Sequence, residues 1–163
     1  MKTKAQAQQI FTWIVAIVLM SLLVLFGYRS ITNLRVRGEQ VKFLEFKNDL
    51  TSTIESTTDY GSERRVSLSA PGAYNEVCFV DFEGGIDLSL MNNYPIIRDS
   101  VASQLGKPAI ENVFLVKDIA EQSFKIENMR VEAPKFLCVE VKAGKINFRV
   151  AGLGKYAEVR SVD

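Results

Sequence analysis

From Ile10 to Tyr28 the chain reads IFTWIVAIVLMSLLVLFGY, nineteen consecutive residues without a charge. As a helix rising about 1.5 Å per residue this stretch spans roughly 28 Å, the hydrocarbon thickness of one bilayer. Thr12 and Ser21 are its hydroxyl residues before Tyr28. Both can donate to a carbonyl of the preceding turn, so no polar group is stranded in lipid. Trp13 and Tyr28 stand near its two ends, where interfacial aromatics belong. We read residues 10–28 as a transmembrane helix, with the lipid bilayer as the first partner and the rest of the chain held at its surface.

Residues 1–9, MKTKAQAQQ, form a short basic tail resembling the positive flank of a signal. A cleaved secretory signal is the competing reading. The apolar run is too long for an ordinary h-region, and Leu25-Phe26-Gly27 lacks the small-x-small pattern that signal peptidase needs. The uncleaved anchor is therefore expected.

Lys4-Ala5-Gln6 followed closely by a long apolar helix resembles the prepilin-type signals of archaeal type IV pilin-like proteins. The first thirty residues carry this likeness, and the whole chain also resembles uncharacterised single-pass archaeal membrane proteins. The resemblance implies a leader over 1–5, cleavage between Ala5 and Gln6, and retention of the apolar helix for anchorage and assembly. The chain departs from the pattern at Ile10, fifth after such a cut, where many bacterial-type pilins carry a glutamate that aids filament assembly.

Residues 29–60 read as an amphipathic helical stalk. Val36, Phe43, Phe46, Leu50 and Ile54 share one face at helical spacing, opposite Arg37, Glu45 and Asp49. The stripe suits packing on the chain's own sheet or a helix-helix contact with another subunit. Gly38 is a possible kink, and the helix is expected to fade among the serines and threonines of 51–58, before Gly61.

Over 61–163 the period changes to two, which predicts an α+β head: a small, mainly antiparallel sheet with one short helix. Strands are expected over 65–69, 77–82 and 113–116, with a weaker extended stretch from Phe124 through Ile126 and Met129 to Val131. Phe136–Lys142 and Ile146–Val150 read as a hairpin through Ala143-Gly144, and 156–161 as a last strand. Asn93 reads as the cap of a helix that starts at Tyr94-Pro95 and carries Ile97, Val101 and Leu105 on one face.

Composition excludes more chemistry than it suggests. Twenty basic and nineteen acidic residues give a net charge of +1, so nucleic acid is not expected as a partner. Histidine is absent, which removes imidazole bases, imidazole zinc ligands and histidine triads. No P-loop, G-x-G-x-x-G or G-x-S-x-G occurs. An enzyme, a cofactor and a catalytic residue are accordingly not expected.

Cys78 and Cys138 lie in apolar strands, which disfavours a reactive thiolate. They read either as a disulfide or as two inert buried thiols. Glu76, Asp81, Glu83 and Asp87 crowd around Gly84-Gly85, but their spacing matches no EF-hand loop, so a solvated acidic turn is preferred to a calcium or other metal site. Basic residues following the helix (Arg29, Arg35, Arg37, Lys42, Lys47) favour a cytoplasmic head by literal count. The cysteine pair and the prepilin-like tail favour an extracytoplasmic one, which we expect.

Two functions fit this order of parts. One is a single-pass, pilin-like surface or envelope protein acting structurally, as a homo-oligomer or with other envelope proteins. The other is an anchored binding module that contacts its ligand through the sheet face or the region around Tyr94.

Overall fold

The computed structural model describes residues 3–72, 74–83 and 85–162, with 3–10 and 32–37 described for the backbone alone. Helix α1 covers Thr3–Glu55 and runs through Gly38 without interruption. The chain divides into two compact units, residues 1–41 and 42–163. The stalk read over 29–60 is shared between them. In the first unit, Phe11–Ile31 is long and apolar enough to cross a membrane, and none of it is buried. Ser21 Oγ donates to the Ile17 carbonyl at 2.9 Å, which satisfies the hydroxyl within the helix. The leader residues Ala5 and Gln6, and Val36 of the stripe, lie outside the described side chains.

In the second unit, the last turns of α1 deliver their stripe to the core. Phe46, Leu50 and Ile54 are fully buried, and Phe43 packs half-buried beside them. Burial of each such side chain is worth about 1.5–3 kcal/mol. This part of the stripe is therefore covered by the chain's own sheets. The helix stops where hydroxyls compete for its final carbonyls: Thr57 Oγ1 donates to the Thr53 carbonyl at 2.8 Å and Ser56 Oγ to the same group at 3.2 Å.

Among the described residues eight strands follow: β1 (Glu63–Ser69), β2 (Glu76–Val80), β3 (Val113–Val116), β4 (Ala120–Phe124), β5 (Met129–Val131), β6 (Phe136–Glu140), β7 (Lys145–Gly152) and β8 (Ala157–Arg160). They form two four-stranded sheets, β1-β7-β8-β5 and β4-β3-β2-β6, antiparallel except where β5 runs parallel to β8. A 3-10 turn, Leu88–Met91, and helix α2, Pro95–Gln104, lie between β2 and β3. The architecture is thus an apolar helix followed by an α+β domain.

One core joins the α1 stripe to Val77 and Phe79 of β2, Val113 and Leu115 of β3, and Ile146, Phe148 and Val150 of β7. The opposite face of β2 and β3, with Cys78, Val80, Phe114 and Val116, is covered by Met91, Ile97 and Val101. Strands β2 and β3 are apolar on both faces because both faces are packed. Where β7 ends, Gly152 lies against the 57–62 loop so closely that a Cβ there would sit 2.6 Å from the Thr57 carbonyl oxygen and closer to that of Asp59.

Three expectations need correction. The predicted hairpin between 136–142 and 146–150 is only a tight turn: Ala143 and Gly144 both take positive φ, and a single bridge joins Lys142 to Lys145. Beyond it the strands part, β6 to β2 in one sheet and β7 to β1 and β8 in the other. The weak stretch around Met129 is two strands in different sheets. Between them buried Asn112 takes over the Ile126 backbone, donating to its carbonyl and accepting from its N–H at 2.8 Å each. Lastly, the residue capping α2 is Tyr94, which makes no side-chain cap bond, rather than Asn93.

Candidate functional site

A cleft of about 330 Å³ opens between the start of β2, the first turn of α2 and the turn joining β3 to β4. Because Tyr94 makes no cap bond, its side chain is free to cross the cleft, where its hydroxyl donates to Glu76 Oε2 at 2.8 Å. Its ring packs edge-on against Phe136, with centroids 5.7 Å apart. Burial, the hydrogen bond to Glu76, and the charges of Glu76 and Glu140 push the phenol up to about 12, so it stays a donor at neutral pH. Part of the wall is apolar: Ile97 and Val116 are buried, while Ile96 and Ile119 remain 43% and 54% exposed at the mouth. Asn75 fixes the far wall, donating from Nδ2 to the Lys117 carbonyl at 3.1 Å and from its backbone N–H to Val116 at 2.8 Å.

Behind this cleft lies the cysteine pair. Cys78 and Cys138 face one another across β2 and β6, with Cα atoms 3.9 Å apart, and form the disulfide. Of the two sequence readings, the bridge holds and the free thiols do not. Glu76 stands close to both sulfurs, but a bridged pair offers no thiolate to a metal.

A second cleft, of about 400 Å³, is lined by Asp81, Glu83, Asn112, Arg130 and Tyr156 among others. Here the cation belongs to the protein itself. The Arg130 guanidinium lies 4.2 Å from the Tyr156 ring centre, reaches Asp81 at 3.4 Å and also pairs with Glu83. Asp81 is nearly buried and further accepts from the Glu83 N–H at 2.9 Å. Lys155, by hydrogen bond and charge, and then Arg130 hold the Tyr156 phenol below its ordinary range.

The acidic residues that crowd together in the sequence are therefore separated. Glu76 serves Tyr94, Asp81 and Glu83 serve Arg130, and Asp87 accepts from the Ser89 N–H at 2.9 Å, which holds its carboxyl below the usual range. They do not converge on one point. The sequence reading singled out the region around Tyr94, whereas nothing in the spacing of Arg130 and Tyr156 marks them as partners: parallel pairing of β5 with β8 brings them together.

No family model matches this chain, and no curated protein or solved structure is significantly similar to it.

Proposed function

We propose that this is a single-pass membrane protein with an extracytoplasmic head, acting structurally through assembly or contact with partners at the cell envelope. The observation that carries the reading is the stretch Phe11–Ile31, strongly apolar with Arg29 near its end as its one charged residue, helical and unburied by its own chain. Water is a poor solvent for such a surface, and lipid a good one. The disulfide of the following domain supports an oxidising compartment for the head. The pilin-like form of this reading rests on the Lys4-Ala5-Gln6 tail. It predicts that coexpression with a prepilin peptidase yields a mature chain beginning at Gln6 that associates into oligomers or filaments. An unprocessed, monomeric product would remove the pilin form. Recovery of the full-length chain in a detergent-free soluble fraction would remove the anchor itself.

A second reading, an anchored binding module, is favoured by the Tyr94 cleft, which joins an apolar wall portion to an oriented phenol-carboxylate pair. Binding-induced shifts confined to the Ile96 and Ile119 methyl groups would support it. Partner binding that leaves both methyls unmoved would count against it.

A further inference from the structure

The two clefts share a plan, and only one of them contains its cation. In the second, an aromatic ring and two carboxylates enclose a guanidinium: Tyr156, Asp81 and Glu83 around Arg130. In the first, the ring of Tyr94 and the carboxylates of Glu76 and Asp118 stand around open space, with Lys117 as the single ammonium on the rim. Among the described residues neither Glu76 nor Asp118 has an ion-pair partner. The first turn of α2 adds apolar side chains to the wall, and Pro95 at its start contributes no N–H toward an anion.

We propose that the Tyr94 cleft receives an arginine side chain flanked by apolar residues, presented by a partner polypeptide. This inference rests on the binding-module reading and names its ligand. A guanidinium matches the carboxylate of Glu76 through a two-pronged, charge-assisted hydrogen bond, and it lies favourably on an aromatic face. The neighbouring apolar residues cover Ile96 and Ile119, the exposed apolar side chains at the mouth.

The test uses the full chain in neutral detergent micelles and three end-blocked peptides: Leu-Arg-Val, Leu-Glu-Val and Leu-norleucine-Val. Titration is followed by calorimetry and by the isoleucine methyl resonances. Leu-Arg-Val should bind saturably, shift Ile96 and Ile119 while sparing buried Ile126, and weaken with added salt. Glu76→Gln should lower its affinity by about tenfold or more. Ile119→Ser, on the exposed rim, supplies an independent variant that leaves the core intact and should weaken all apolar contact. Unchanged affinity in Glu76→Gln, or equal binding of the glutamate and arginine peptides, overturns the arginine assignment. If those other peptides still move the two methyls, the cleft remains a contact site with different chemistry. If no peptide moves them, both the assignment and the binding-module reading fall.

Discussion

The Arg130 cleft and the Tyr94 cleft are built from the same groups and held together by different forces. In the first, the cation that neutralises Asp81 and Glu83 is also a structural tie between β5 and the loop after β2, and Lys135 adds a bond from Nζ to the Gly85 carbonyl at 3.3 Å. In the second, the strands beneath are joined covalently, and the acidic group above them, Glu76, accepts a hydrogen bond from the Tyr94 phenol and has no ion-pair partner among the described residues. A carboxylate paired within the fold contributes to stability. One left without a cation at an apolar cleft is available for recognition.

The largest effect should come from the covalent tie. Cys78 and Cys138 are 60 positions apart, and in the chain-entropy model closing such a loop is worth about 4 kcal/mol. Replacing both by serine should lower the thermal midpoint of the head markedly, and reduction of the wild-type protein should act in the same direction. Because β6 carries Phe136, on which Tyr94 rests, the same variants should also disturb the Ile96 and Ile119 resonances before those near Arg130. If the disturbance is uniform, the two clefts are not separately supported.

Next in size is Arg130→Ala. Its side chain is 17% exposed and that of its partner Asp81 only 8%, so removing the guanidinium leaves a largely buried carboxylate unpaired. The expected loss is about 2–3 kcal/mol, read by denaturant unfolding. A loss below about 0.5 kcal/mol would place Arg130 among ordinary surface ion pairs and dissolve the contrast.

How much of this was readable from the chain depends on the range of the interactions. The apolar helix is a continuous local run that its own chain does not bury, and the Phe43-Phe46-Leu50-Ile54 stripe is a local periodicity that packing followed. The strands β1, β2, β3 and β8 were legible for the same reason. The hairpin was misread because two positive-φ residues dictate a reversal but not which strand completes the ladder, and both β6 and β7 found better partners elsewhere. The acidic group around Gly84-Gly85 looked like one feature because its members are sequence neighbours, yet strand, loop and 3-10 turn direct them to three different partners. Arg130 and Tyr156, twenty-six positions apart, meet only through a parallel strand pairing for which the sequence carries no local sign.

The tyrosines offer a smaller and sharper probe. The phenols of the two clefts are displaced in opposite directions: Tyr156 downwards through Lys155 and then Arg130, Tyr94 up to about 12 through burial and Glu76. In an ultraviolet phenolate titration, Tyr156→Phe should remove amplitude from the early part of the curve and Tyr94→Phe from the last part. The folded protein keeps the Tyr94 proton above the pH, about 10, at which an unfolded chain releases it. The stability linked to that proton is therefore complete below about pH 10 and is lost as pH climbs toward about 12. Tyr94→Phe should flatten this alkaline decline. If the two variants remove the same part of the titration, the clefts do not differ in potential.

The smallest expected change in stability belongs to Glu76→Gln, and its smallness is what separates the clefts. Glu76 stands directly opposite Glu140 across β2 and β6, a like-charge pair that disfavours the fold. Glutamine relieves that repulsion but weakens the bond from the Tyr94 hydroxyl, since a neutral amide is a poorer acceptor than a carboxylate. The two effects oppose one another, so unfolding should shift by no more than about 0.5 kcal/mol, while the Tyr94 phenol moves back toward its ordinary range. A cleft whose carboxylate can be neutralised without loss of stability, at a point where the Arg130 cleft cannot lose its cation, is one whose charge serves something outside the fold. A loss in Glu76→Gln as large as that in Arg130→Ala would make both clefts structural, and the open one would no longer call for a partner.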